Sequence, residues 1–164
     1  MKMKIMKIKI KFRPAAAGIF LAALIWIILP YFFIRLNQSL TLPVINFLPL
    51  KIIGGILVGA GFITVCYLIK LFLKFGQGTP VPFDPAKKLI YRGLYRHTRN
   101  PMYLSHLLIF FGEFLLTGYT ILLVYLVLAW FGFHLFIIRW EEPDLKKRLG
   151  RPYLKYIRRV PRWL

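Results

Sequence analysis

The sequence predicts an all-α integral membrane protein with about four transmembrane helices and a cytoplasmic, amphipathic helical segment at its C-terminal end. Of the 164 residues, 59% are hydrophobic, and the mean hydropathy is +0.63. Apolar runs long enough to cross a bilayer recur along the chain. Between them, 24 lysines and arginines against 5 acidic residues give a formal net charge of +19. Apolar spans separated by basic segments are typical of polytopic membrane proteins.

The same composition excludes several other classes of protein. A soluble domain of this size would need a more polar surface, and a disordered chain would need lower hydrophobicity. Most basic residues flank apolar spans, where lipid headgroups account for them, so nucleic acid is not an expected partner. The single cysteine, Cys66, cannot form an intrachain disulfide.

The first two spans are predicted over residues 14–34 and 51–74. A basic arm over residues 1–13 precedes the first, whose 21 apolar residues exceed the length of a signal-peptide core and match a membrane span. Pro30 is expected to kink this helix near its end or to stop it early. In the second span, Gly55 and Gly59 form a small-xxx-small pattern that predicts close packing against another helix.

The second half of the chain begins with a proline-rich loop over residues 76–99. An apolar hairpin follows, with spans predicted over residues 102–117 and 119–138. After it, short helices are predicted over residues 143–149 and 153–159, and their leucines and tyrosines among basic residues suit a membrane surface. Nothing indicates a repeat or a second domain, so residues 1–164 are expected to form a single membrane domain.

Charge counting predicts the orientation in the membrane. Residues 1–13 carry six basic residues, residues 74–99 carry six and residues 139–164 carry nine. With four spans, these segments fall on one face, which the positive-inside rule makes cytoplasmic. Both termini and both polar stretches described next are therefore expected on the cytoplasmic side.

Two polar stretches lie at the ends of the hairpin: GLYRHTRNPMY over residues 93–103 and RWEE over residues 139–142. A tight turn between the two spans brings these stretches side by side, so a glutamate pair faces a cluster of Arg, Asn and Tyr. One interpretation is an interfacial salt bridge between Arg99 and Glu142 that fixes the hairpin. The other is a functional site, since ionisable residues at the membrane edge commonly serve function.

These residues carry a resemblance. The run GTPVPFDPAKKLIYRGLYRHTRNPMYLS, followed by the hairpin and EEPDLKKRLGRPYLKYIRRVPRW, resembles the isoprenylcysteine carboxyl methyltransferase family. It also resembles the wider phospholipid methyltransferase group that shares its C-terminal half. The resemblance covers residues 76–163 and implies binding of S-adenosylmethionine at the cytoplasmic face, over residues 76–103 and 139–163.

Matching the family motifs position by position implies a set of cofactor-binding residues. The set consists of Leu89, Ile90, Tyr95, Arg99, Asn100, Pro101, Met102, Tyr103 and Glu141. Asn100 stands where eukaryotic members have His, and it keeps a donor and an acceptor but not a proton-transfer role. Ser105 replaces a common Gly. The position of the family's substrate-side arginine is Ile137 here, so Arg139 is taken as its nearby substitute.

The residues leave two kinds of methyl transfer open. A carboxylate acceptor needs no base, and Arg139 is a candidate to hold such an anion. An amine acceptor must lose a proton, for which Glu142 is the nearest candidate. Carboxyl O-methylation of a lipophilic or prenylated substrate from the bilayer is the leading interpretation, and N-methylation of a phospholipid amine is the alternative. A nicotinamide-dependent reductase and a non-catalytic membrane scaffold are less favoured.

Three further polar residues lie inside the predicted spans. His106 and His134 lack the additional ligands that a metal site requires, so no metal is expected and both are interpreted as hydrogen-bonded packing residues. Glu113 lies in the middle of the third span, where a bare charge is costly. It is expected to be protonated, to pair with His134 or Tyr119, or to line a substrate cavity.

Overall fold

The computed structural model describes residues 12–76, Thr79 and residues 86–164. Most of the predicted basic arm and the proline-rich part of the loop, residues 80–85, lie outside these residues. In the described part, three apolar helices are long enough to cross a membrane: Ala16–Ser39, Leu48–Gly76 and Ile121–Leu149. The shorter apolar helix Pro101–Thr117 brings the total to roughly four membrane helices, as predicted.

The first membrane helix is continuous, and its backbone hydrogen-bond pattern changes from α to π and back once. It consists of α1 (Phe12–Ala23), a π-helical turn (Leu24–Ile28) and α2 (Leu29–Ser39). Pro30 lies in the first turn of α2, directly after the π-helical turn, where its missing N–H is tolerated. The helix continues to Ser39, so of the two alternatives predicted for Pro30 an early stop was wrong, and a kink stays a prediction.

The second and third membrane helices form an antiparallel pair. Helix α3 (Leu48–Leu71) runs into a π-helical turn, Phe72–Gly76, and α4 is Pro101–Thr117. At their closest approach, a Cβ atom on Gly54 would lie 2.7 Å from the carbonyl oxygen of Gly112. Only glycine at these positions lets the two backbones approach so closely.

The glycine pattern predicted for this packing was wrong in its choice of residues. Among the described residues, a Cβ on Gly55 would meet only the end of one leucine side chain at 3.9 Å, and a Cβ on Gly59 would meet nothing within 4 Å. Gly54 and Gly61 instead face α4. The rotation of α3 about its own axis decides which glycines face the partner, and an α3 rich in apolar residues on all sides does not specify that rotation.

The predicted hairpin closes at Gly118, which adopts the left-handed conformation, with φ of 78°, at the end of α4. Helix α5 (Ile121–Phe136) returns and continues without a break through a π-helical turn, Ile137–Glu141, into α6 (Glu142–Leu149). The glutamate pair therefore belongs to a continuing helix and not to a loop that leaves the span. The first turn of α6 also lies beside the start of α4.

The C-terminal segment breaks at Gly150, as predicted, and resumes as α7 (Arg151–Ile157). Tyr153, Tyr156 and Val160 are buried and pack with Leu89 of the loop before α4. The expectation that the tyrosines of this segment lie on the membrane surface was wrong. Their apolar faces are used to fix the C-terminal segment against the loop.

Candidate functional site

A cavity of about 750 Å³ opens between the first membrane helix, α4, α5 and the C-terminal helices. At one end, polar side chains from the start of α4 and the start of α6 line it. At the other, apolar side chains of the first helix, including Ile25, Leu29 and Phe33, face Tyr125 and Leu128 of α5. A single cavity thus joins a polar end to an apolar cleft within the membrane-spanning bundle.

The polar end is built from the two stretches that the sequence singled out. The Tyr103 hydroxyl donates to Oε2 of Glu141 over 2.6 Å. The Nη1 of Arg99 donates to Oε1 of Glu142 over 3.0 Å, and both side chains are nearly inaccessible. The predicted Arg99–Glu142 salt bridge is therefore confirmed, and it coexists with a cavity that both residues line.

Arg162 is a member of this site that the sequence reasoning missed. Its Nε donates to Oε1 of Glu142 over 2.7 Å and its Nη2 donates to Oε2 over 3.2 Å, so Glu142 is held by two guanidinium groups. The hydrogen bond to Glu142 raises the pKa of Arg162 above its ordinary value, so the cation is kept. The motif Arg-Val-Pro-Arg-Trp near the C-terminus was the available signal.

The C-terminal tail also fixes the backbone of the first polar stretch. The Arg99 N–H donates to the Pro161 carbonyl over 2.9 Å. The Arg162 carbonyl accepts from Thr98 Oγ1 and from Asn100 Nδ2, each over 3.0 Å. Because its Nδ2 is used in this way, Asn100 acts in part as an anchor for the tail.

Tyr95 lies in a short 3₁₀ turn, Gly93–Arg96, that requires a glycine at its start. Gly93 has a φ of 57°, and a Cβ there would collide with the Tyr67 hydroxyl. The Tyr156 hydroxyl donates to the Tyr95 carbonyl over 2.7 Å. Burial, reinforced by Glu141 and Tyr156, raises the pKa of Tyr95, so its hydroxyl remains a neutral hydrogen-bonding group at physiological pH.

The cavity brings together most of the residues that the resemblance singled out. The members that line it are Leu89, Ile90, Tyr95, Arg99, Asn100, Met102, Tyr103, Glu141 and Glu142. Pro101 does not line it; it is buried in the first turn of α4. Arg139 is exposed and lies outside the cavity lining. The individual roles of these side chains stay predictions.

Of the polar residues inside the spans, His134 is hydrogen-bonded as predicted, whereas Nδ1 of His106 has no hydrogen-bond partner among the described residues. His134 Nδ1 accepts from Nε1 of Trp163 over 3.1 Å, and the Tyr119 hydroxyl accepts from Gln38 over 3.0 Å. Of the three alternatives for Glu113, pairing with His134 or Tyr119 is not found among the described residues, and protonation stays a prediction. Within the described residues, Glu113 Oε2 is buried without a hydrogen-bond partner, and Glu113 does not line the cavity.

The described residues form a bundle of apolar helices with a cavity that is polar at one end and apolar at the other. Residues 50–151 match the model of the phospholipid methyltransferase family. This match covers more than half of the chain, and the protein belongs to that family of membrane methyltransferases, which use S-adenosylmethionine. Searches of curated proteins and of solved structures found no match for the chain.

The residues at the polar end fit such a cofactor. Its amino group needs an anionic acceptor, which the Glu141 carboxylate provides at the cavity wall. Its carboxylate needs a cationic donor, and Arg99 lines the same end with its Nε unpartnered among the described residues. Its adenine needs an apolar wall, and Leu89 and Ile90 are apolar members of the cavity lining. An acidic side chain, a basic side chain and an apolar wall therefore line the same cavity, as the groups of this cofactor require.

Proposed function

We propose that this protein transfers a methyl group from S-adenosylmethionine to a lipophilic acceptor that enters the cavity from the bilayer. One observation carries the proposal: the cavity is continuous from Glu141 and Tyr103 to the apolar cleft lined by Leu29 and Phe33. A cofactor held at the polar end and a lipid chain in the cleft would bring their reactive groups together between these ends.

The chain's own contribution is mainly positioning. The bound cofactor supplies a methyl group on a sulfonium, which is already activated for transfer. Glu141 and Arg99 orient the cofactor, and the buried wall around Tyr95 keeps water out. Alignment of two reactants in a dry site can lower a barrier by about 7–11 kcal/mol, so a strong nucleophilic side chain is not required.

For the acceptor, the structure supports a phospholipid amine more than a carboxylate. A carboxylate acceptor would need a cation in the apolar cleft, but Arg139 lies outside the cavity lining. The cations that do line the cavity, Lys88 and Arg99, belong to the end that is proposed to hold the cofactor. An ammonium group suits a wall of aromatic rings, because it is attracted to their faces. The rings of Tyr103 and Phe133 lie 4.9 Å apart at this level of the cavity, and both line it.

The test is labelled-methyl transfer by detergent-purified protein, with phosphatidylethanolamine and a farnesylated cysteine offered separately. We expect label in the phospholipid. Label in the farnesylated cysteine alone would contradict N-methylation and favour the carboxyl O-methylation that the sequence first suggested. Cofactor binding without transfer to either lipid would contradict both acceptor classes.

A further inference from the structure

His106 is a polar residue in the cavity that none of the motifs explains. It lies one helical turn beyond Tyr103 on α4, so the two side chains share a helix face. It lines the cavity, and its Nδ1 is buried without a hydrogen-bond partner among the described residues. A buried polar atom left unpaired in a native structure calls for an explanation, and an absent ligand is one.

Aromatic rings hold the His106 imidazole in place. The Trp26 ring of the first helix lies 5.4 Å from it and the Phe133 ring of α5 lies 6.0 Å from it. Neither ring ionises. The titratable side chains that share the cavity at this level are Tyr103, whose hydroxyl is donated to Glu141, and Tyr125, whose hydroxyl donates to the Ile25 carbonyl over 2.7 Å. Both hydroxyls thus already donate a hydrogen bond, whereas Nδ1 of the imidazole has no hydrogen-bond partner among the described residues.

An amine acceptor needs a proton acceptor at the point where the cofactor end meets the apolar cleft. A lipid ammonium at neutral pH has no lone pair until it loses a proton. Glu142 is ion-paired with two arginines, and Glu141 accepts from Tyr103 and faces the cofactor's amino end in the proposal above. Of the side chains that line the cavity near Tyr103, His106 is the one that keeps an acceptor nitrogen without a partner among the described residues. Histidine is also the side chain most often used for general acid–base catalysis.

We propose that His106 is a catalytic residue that takes the proton from the lipid amine. This inference rests on the proposed methylation of a phospholipid amine. The ammonium N–H is donated to Nδ1, the proton moves to the imidazole, and the freed lone pair forms the new N–C bond to the methyl carbon. The C–S bond breaks and its electron pair stays on sulfur, leaving the neutral thioether product. The imidazolium then gives its proton to water when the product leaves.

The test compares wild type with His106→Ala, using labelled-methyl transfer to phosphatidylethanolamine with and without added imidazole. A missing proton acceptor typically costs about 10²–10⁴-fold in rate. We expect a loss in this range in kcat, an affinity for S-adenosylmethionine by calorimetry within about twofold of wild type, and recovery of at least tenfold when imidazole fills the space. Added imidazole should leave the wild-type rate unchanged.

His106→Gln provides a second variant that keeps the size and polarity of the side chain without a basic nitrogen. It should lose as much kcat as His106→Ala while binding cofactor normally. Full activity in either variant, or a loss in His106→Ala that imidazole does not restore while cofactor binding is intact, overturns the inference and leaves His106 as a packing partner of Trp26. Wild type that binds cofactor but leaves phosphatidylethanolamine unmethylated overturns the proposed N-methylation itself.

Discussion

Glu142 joins three separate parts of the chain through one carboxylate. Arg99 precedes α4, Glu142 begins α6 and Arg162 lies in the tail, yet both arginines reach the same buried side chain. Removing one member of a buried ion pair leaves the other charges without compensation, which is more costly than losing an exposed pair. This carboxylate is therefore a structural residue of the site, and its pairing argues against the role of general base that the sequence suggested.

At the residue scale, we predict that Glu142→Ala destabilises the protein by about 3–5 kcal/mol, because two guanidinium groups lose their partner. Asp144→Ala is the matched control: Asp144 pairs with Arg148 on the surface, where the change should cost less than about 1 kcal/mol. Denaturation in detergent measures both. A double-mutant cycle with Arg162→Ala should give a coupling of about 0.5–3 kcal/mol, and additive effects would contradict the shared ion pair.

Much of the site was predictable at this scale, because local motifs and hairpin geometry place Arg99, Tyr103 and Glu141 at one end. Arg162 was not. It lies 62 positions after Asn100, and its Arg-Val-Pro-Arg-Trp motif does not by itself show whether the tail folds back or stays in solvent. Arg139 illustrates the opposite difficulty: its position in the sequence is close to Glu141, but the helix that carries both turns Arg139 outward.

At the element scale, the antiparallel contact of α3 with α4 positions the start of α4 and hence the motif at Arg99–Tyr103. Four glycines on α3 offered several packing faces, and the pattern predicted from the sequence selected the wrong one. The interior contact is decided by backbone approach at Gly54 and Gly112, where there is no space for a side chain. Helix existence and approximate bounds followed from hydropathy, while helix rotation required the packed structure.

We predict that Gly54→Ala destabilises the protein by about 1–3 kcal/mol, because its new methyl group would meet the backbone of α4. Gly59→Ala in the same helix is the control, since a Cβ there meets no atom of the described residues within 4 Å. It should be neutral or stabilise by up to about 1 kcal/mol through helix propensity. Thermal unfolding in detergent distinguishes the variants. Equal stability of the two would contradict the assignment of Gly54 to the helix contact.

At the scale of the whole molecule, the polar end of the cavity and the basic segments over residues 86–99 and 139–164 lie at the same end of the bundle. The connection after Ser39 and the turn at Gly118 lie at the other end, where the Ile45 N–H donates to the Gly118 carbonyl over 2.9 Å. The site end carries most of the basic residues of the described chain, and the positive-inside rule places such an end in the cytoplasm. The orientation is a prediction from charge.

This orientation can be checked with single cysteines introduced after Cys66→Ala. We predict that Ser39→Cys reacts with a membrane-impermeant maleimide in intact cells, whereas Arg158→Cys reacts only after lysis. Both positions are exposed, so accessibility to the reagent depends on the side of the membrane. The reversed pattern would contradict a cytoplasmic site.

The most direct test of the central claim is binding of S-adenosylmethionine to detergent-purified protein, measured by calorimetry for wild type and Glu141→Ala. Glu141 is the carboxylate at the polar end of the cavity that is free of arginine partners within the described residues, so its loss should remove the acceptor for the cofactor's amino group. We predict micromolar binding by wild type and none by the variant. Well-folded wild type that does not bind would contradict the assignment of this cavity to a methyl donor, and equal binding by both proteins would contradict the role of Glu141.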